Sequence, residues 1–401
     1  MPTLKASEAS AYGGRTRIRI KKIMIISQMH INSAGEWESD STKACGQDAG
    51  LALVFWSDTD QKTVTAAVKS LKTHCPQAII VGCSTGGIVS GGTFLENAMS
   101  ATLVSFEKTR LASVAARLRD HEDTRGLCRH LAANLPSAGL THVFVLSDGL
   151  LVNGCALASG LAEFLPAGVG ITGGLAADGE RFQLTSIVHG QEILFGGVLC
   201  LGFYGEALKI GQGTRGGWLP FGPERMITES HDNVLLELDG ESALELYERY
   251  LGKHAKNLPA SGHLFPLYLR EAGSSNWVVR TILGLDRKSH ALLFGGEMPR
   301  GATVRLMRGN MDNLLDGAQE AAERARLDDD DALAILVSCV GRKMLLKQFV
   351  DEEIDTVARI LGPRTTLTGF YSYGEIACGE AGEACLLHNQ TMMVTVLQEQ
   401  R

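Results

Sequence analysis

Gly82-Cys83-Ser84-Thr85-Gly86 is a G-x-S-x-G pentad. In α/β hydrolases that spacing sets a nucleophilic serine on a sharp strand-to-helix elbow, which makes Ser84 a candidate for acyl transfer. Two features oppose it. Ser84 is followed by TGGIVSGGTF, with four glycines and no helical period, where an elbow needs a helix. The frame also recurs, as Gly170-Ile171-Thr172-Gly173-Gly174 and, with one residue inserted, as Gly369 to Gly374, and a nucleophile has no reason to occur in every copy. Binding is the other use: consecutive glycines present backbone N–H groups to an anion, and crevices beyond the carboxyl ends of strands in open α/β sheets collect ligands. The first two turns supply Ser84, Thr85, Gly86, Thr172 and Gly173. A purely structural use, letting strands turn and pack closely, explains the glycines equally well. Asp148 ends the strand-like HVFVLSD, where a crevice would open or where it would cap the next helix. Arg342 ends LAILVSCVGR, positioned to pair with a ligand carboxylate or to stand in solvent.

The elements that must position these residues form a repeated unit. LALVFWS reads as a strand. Val64, Ala67, Val68 and Leu71 then recur at helical spacing behind Asp58 and Asp60 as candidate caps, and AIIV leads into the first glycine turn. MSATLVSF closes the unit as another strand. The order returns over 141–203 and again over 332–397, an internal repetition. The expected fold class is therefore α/β: two lobes with mixed sheets, built from three strand-helix-strand-glycine-turn-strand units. The expected divisions are a basic, disordered tail over 1–45, an N-terminal domain of two repeats over 46–225, and a C-terminal domain over 226–401. The last holds one repeat preceded by a β-rich insertion through WVVRTILGLDRKSHALLFGG.

Composition excludes several classes. A 401-residue chain with 45% apolar side chains can bury substantial cores. A net charge of −7 gives no general basic field for nucleic acid or anionic lipid. No apolar run reaches the ~18 residues of a membrane span, and the first 22 residues lack a signal-peptide core, so the expected location is the cytoplasm. Nine cysteines without a C-x-x-C pair read as reduced, mostly buried thiols. Gly168-x-Gly170-x-x-Gly173 matches a dinucleotide fingerprint only formally, because Pro166-Ala167 precedes it instead of a strand. His74-Cys75-Pro76 closes a helix, where proline is expected anyway. Neither metal-ligand spacing nor a phosphate-binding loop of the Walker type occurs.

AIIVGCSTGGIV, GITGGLAADG, LDGESALELYERYLG, FPLYL, GNMDNLL, and GFYSYGEI followed by LHNQT together resemble the FIST sensory proteins, over about 49–397. The resemblance implies an intracellular sensor of bacterial signal transduction that binds a small ligand, amino acids among them, and acts through a partner such as a histidine kinase. It also implies an alternative, since some stand-alone members are haem-binding nitric-oxide sensors. It directs attention to Gly374, Glu375, His388 and Asn389. Glu375 leaves a glycine turn, where it could accept a ligand ammonium or cap local backbone; Tyr371 and Tyr373 beside it offer aromatic faces and hydroxyls or interstrand packing. His388 could bond a neighbouring turn, bind a small ligand, or hold haem iron through a neutral imidazole, with His189 as its rival for the iron. Strand alternation would bring His388 and Gln390 to one side and Asn389 and Thr391 to the other. No catalytic residue is expected.

Overall fold

The computed structural model describes residues 24–39, 46–258, 260–274, 277–328, 330–378 and 384–400. The first repeat runs β1 (Met24–Ile31), β2 (Leu51–Trp56), α1 (Gln61–His74), β3 (Ile79–Ser84), a hairpin β4 (Ile88–Ser90) and β5 (Thr93–Leu95), then β6 (Met99–Phe106). The second is β7 (Arg110–Arg117), α2 (Thr124–Asn134), β8 (Leu140–Ser147), α3 (Gly154–Phe164), β9 (Gly170–Leu175), hairpin β10 (Ile187–His189) and β11 (Glu192–Leu194), and β12 (Gly197–Tyr204). The third opens with β13 (Leu208–Arg215). It is then interrupted by an insertion of β14 (Leu219–His231), β15 (Val234–Leu238), α4 (Ala243–Leu251), β16 (Leu267–Arg270), β17 (Trp277–Arg280), β18 (Ile282–Asp286), β19 (Ala291–Phe294) and β20 (Thr303–Arg308). It resumes with α5 (Met311–Ala325), β21 (Ala332–Cys339), α6 (Val340–Leu346), α7 (Val350–Leu361), β22 (Thr365–Ser372), hairpin β23 (Glu375–Cys378) and β24 (Cys385–His388), and β25 (Met392–Glu399). The α/β class and the threefold repetition are as the sequence predicts.

Each repeat builds a mixed sheet around one parallel pair: β2 with β3, β8 with β9, and β21 with β22. The hairpins then change partners. Hairpin β4–β5 pairs with β22 of the third repeat, β10–β11 with β3 of the first, and β23–β24 with β9 of the second. The three sheets are thereby linked in a closed cycle, and the insertion forms a fourth, β17-β16-β20-β14-β15-β19-β18. One apolar core draws on all three repeats, including Leu53, Phe144, Ile335 and Phe370, with Phe55 and Phe370 stacked at 4.9 Å.

Local chemistry sets the elements. Asp60, the second of the two candidate caps, accepts the Lys62 and Thr63 N–H groups at the start of α1, whose Val64, Ala67, Val68 and Leu71 are buried as predicted. Gly82, Gly173 and Gly369 lie under a carbonyl of the adjacent parallel strand. A Cβ there would stand 1.8 Å from Val54 O, 2.0 Å from Val145 O and 2.0 Å from Leu336 O, so no larger residue fits.

Two expectations are corrected. The disordered tail does not extend to residue 45: Met24–Ile31 pairs with β6, and Trp37–Ser39 pairs with β1, because IMIISQMHI supplies an apolar strand that the basic run before it obscured. Residues 1–23 and 40–45 lie outside the described residues. β13, placed by sequence in the N-terminal domain, lies in the sheet of the C-terminal repeat, paired along its length with β25. Among the described residues no helix is long and apolar enough to cross a membrane.

Candidate functional site

The three glycine turns meet, and they bond to one another. Gly86 N–H donates to Tyr371 O at 2.9 Å, Ala177 N–H to Ser84 O at 3.0 Å, and Leu175 N–H to Gly374 O at 2.9 Å. The Thr85 hydroxyl accepts from Gly87 N–H at 3.1 Å and Tyr371 N–H at 3.0 Å. The expected glycine-lined anion cradle is therefore filled by the protein's own groups, since each turn satisfies the next. The frame linking Ser84 to Thr172 also shifts. Ser84 is the last residue of β3, opposite Trp56, whereas the last residue of β9 is Leu175, opposite Ser147, three positions after Thr172. Thr172 is thus mid-strand, its hydroxyl 2.8 Å from His142 Nε2, and Gly173 beside it is the packing glycine over Val145.

Several predicted ligand contacts are internal supports. The Asp148 carboxylate accepts from Leu150, Leu151 and Gly196 N–H at 2.9 Å and from the Thr185 hydroxyl at 2.7 Å, holding the loop before α3, which is capped by Asn153 instead. Arg342 is fully buried against Glu353 at 2.6 Å and donates also to the carbonyls of Gly216 and Leu314, so it is neither a surface arginine nor free for a ligand carboxylate. Tyr371 is buried too, its hydroxyl donating to Glu353 at 2.9 Å. Glu375 is fully buried and lines neither of the two clefts beside the glycine turns. It accepts from Ser372 at 2.6 Å and from Thr391 through N–H at 3.1 Å and hydroxyl at 2.7 Å. Burial raises its pKa to about 8 despite those three donors, which favour the ionised form.

A cleft of about 380 Å³ lies beside these turns. Gly149–Asn153 before α3 and Gly154 at its start form one side, the insertion contributes Thr281, Leu283 and Phe294–Glu297, and the third repeat contributes Val340, Gly341, Ser372 and Tyr373. Tyr373, from the third turn, lines this cleft. Its hydroxyl bonds to Asp178 and Gly179 O, and its ring stacks on Phe182 at 4.5 Å, an interplanar angle of 8°. Leu150, Leu151, Phe182 and Leu283 leave an apolar mouth exposed.

Unpartnered polar atoms lie on the cleft lining and against its wall glycines. His263 Nδ1, Thr281 Oγ1, Asn389 Oδ1 and Gln390 Oε1 are buried without a hydrogen-bond partner, four of the eight such atoms among the described residues. His263 and Thr281 line the cleft; the Asn389 amide packs behind Gly295 and the Gln390 amide behind Gly341, both glycines of its wall. The alternation expected over 388–391 fails because β24 ends at His388, and Gln390 takes a left-handed φ of 61°. Both amides therefore turn inward, while Thr391 serves Glu375. Sequence missed His263 and Thr281, which sit in the insertion and join the site only through tertiary packing. The signal for Gln390 was present in HNQT, but the two-residue period set it apart from Asn389.

Ser84 and Thr85 line a second cleft, of about 370 Å³, with Asp58, Asp178 and Arg181. Ser84 Oγ accepts from Ser186 N–H at 3.1 Å and a strand follows it, so it lacks the helix of a nucleophile elbow. The haem ligands fit no better. His189 is bonded to Ser113 at 2.9 Å, and neither His189 nor His388 lines either cleft. Burial, with Arg280 adding to it, lowers the His388 pKa to about 4 and keeps the ring neutral.

Repetition, exchanged hairpins and a cleft shared with the insertion define an α/β protein whose two halves are built from one unit. The model for the FIST N domain matches residues 50–241, that for the FIST C domain matches 243–378, and the chain belongs to the FIST family. FIST domains are sensory domains associated with small-ligand recognition in signalling. No curated protein matches the chain. Among solved structures, the crystal structure of a cyanuric acid hydrolase from A. caulinodans is similar at 11% identity, covering 73% of this chain and all of that one, with a TM-score of 0.17.

Proposed function

We propose that the protein is a sensor that binds a small amino acid bearing an apolar side chain in the 380 Å³ cleft and passes the bound state to a partner protein. The observation that carries this reading is the pair of buried, unpartnered polar atoms on residues that line the cleft, His263 Nδ1 and Thr281 Oγ1. An unsatisfied buried polar atom costs about 1–3 kcal/mol, and a ligand supplies the missing partners. His263 Nδ1 and Thr281 Oγ1 can accept, and Asp232 and Glu297 add carboxylates with no lysine or arginine on the lining, so the polar end of the ligand carries donors such as an ammonium. The start of α3 at Gly154 offers a carboxylate a favourable helix end. The side chain lies toward Phe182, Leu151 and Leu283. Because the cleft is walled by two repeats and the insertion, a ligand that contacts all of them favours the closed arrangement over the open one. A histidine kinase is the proposed class of partner.

Thermal unfolding of the full chain across a panel of amino acids tests this. Apolar amino acids are expected to raise the melting temperature with the concentration dependence of simple linkage, and succinate and acetate are not. Thr281→Val removes an unpartnered hydroxyl at nearly constant volume, so it should leave the unliganded melting temperature unchanged or higher while abolishing the shift. A panel without any shift, or an undiminished shift in Thr281→Val, overturns the assignment. An absorption spectrum of the purified protein separates the haem reading, which requires a Soret band.

A further inference from the structure

The ligand reading uses none of the cysteines. Cys378 and Cys385 stand apart from the other free thiols because they face each other directly in the antiparallel ladder of β23 and β24. Directly opposed residues in such a ladder have Cα atoms about 4.5–5.5 Å apart, inside the roughly 4.4–6.8 Å range of disulfides. Cys378 is half-buried and reachable, whereas Cys385 is buried at 5% exposure.

We propose that Cys378 and Cys385 form a dithiol site that a hydroperoxide oxidises reversibly to an intramolecular disulfide across the β23–β24 hairpin. The Cys378 sulfur attacks the peroxide, the O–O bond breaks, and an alcohol (water from hydrogen peroxide) leaves with a proton, giving a sulfenic acid. The Cys385 sulfur then attacks Cys378, the S–O bond breaks, and water leaves with the Cys385 proton. Two thiols and one hydroperoxide thus yield a disulfide, an alcohol and water, with two electrons passing from sulfur to oxygen. A dithiol reductant returns two electrons and two protons. Electrostatics favour this order: the Cys385 thiol holds Cys378 below the usual thiol range against the opposing effect of burial, and the same pairing pushes Cys385 up. The hairpin is well placed to report the change. It pairs with β9, Leu387 O accepts from Arg280 at 2.9 Å, and Asn389 and Gln390 follow directly.

Mass spectrometry of the full-length protein tests the proposal. Reduced protein is treated with a small excess of hydrogen peroxide, acid-quenched, labelled with N-ethylmaleimide in denaturant and digested with trypsin. The peptide after Arg364, which holds Cys378 and Cys385 and no other cysteine, is expected to lose two hydrogens and carry no maleimide. Dithiothreitol should restore two maleimides. In Cys385→Ser the disulfide is impossible, and dimedone should trap a sulfenic acid on Cys378. Two maleimides after peroxide, or a wild-type dimedone adduct on Cys378 with Cys385 still labelled, overturns it.

Discussion

Glu375 illustrates how a residue matched by motif can serve the interior. It is fully buried, and burial raises its folded pKa to about 8 from 4.5, so the folded state holds a proton the unfolded chain releases. Its contribution to stability is complete below the unfolded pKa and is lost as pH rises through about 8. His142 and His388 act in the opposite sense. Their folded pKa values of about 4 against 6.5 make stability fall as pH drops through that interval. Of these three groups, only Glu375 still titrates between about pH 7.5 and 8.5, because both imidazoles are by then neutral in the folded and unfolded states alike. Urea midpoints across that window should fall for the natural protein and stay flat for Glu375→Gln, with the acid-side loss unchanged; equal slopes in the two proteins would contradict this assignment.

Among the elements, the parallel pairs decide where glycine is indispensable. At Gly82 a Cβ would overlap Val54 O, so β2 and β3 would have to separate along a pair that closes the core. Gly92, in the tip of the β4–β5 hairpin, has a φ of 87° and open space around it, so alanine there meets only left-handed backbone strain. Gly92→Ala should cost about 1–2 kcal/mol and Gly82→Ala about 2–4 kcal/mol. Chemical denaturation of the two variants checks the order, and a cost at Gly82 no larger than at Gly92 would show that the strands can part freely.

For the whole molecule, the exchanged hairpins make the halves interdependent. Residues 24–206 would keep β3 covered by its hairpin from the second repeat but leave β9 without β23, while 207–401 would leave β22 without β4. Each exposed strand would present unpaired backbone and apolar faces. We expect the full chain to unfold in one cooperative transition and each fragment alone to lack one, as read by calorimetry. Two fragments that each melt cooperatively near the temperature of the parent would show that the halves are autonomous.

Much of the fold was legible because it depends on local periodicity. The α1 pattern, the apolar runs of β2, β8 and β21, and the threefold order of elements can be read along the chain without knowing what lies across from them. The site was legible only in part. Tyr373 lines the cleft, but Asp148, Arg342 and Glu375 were read as ligand contacts although they answer internal donors and acceptors elsewhere in the chain, such as Gly196 for Asp148 and Leu314 for Arg342. His263 and Thr281 carried no signal of their own, because a polar atom is recognised as unpartnered only when its neighbours are known. The sequence by itself determined which segments are strands and helices and that one unit recurs. Tertiary structure alone decided which hairpin completes which sheet and which buried groups lack partners, because those depend on contacts between segments that no spacing along one chain encodes.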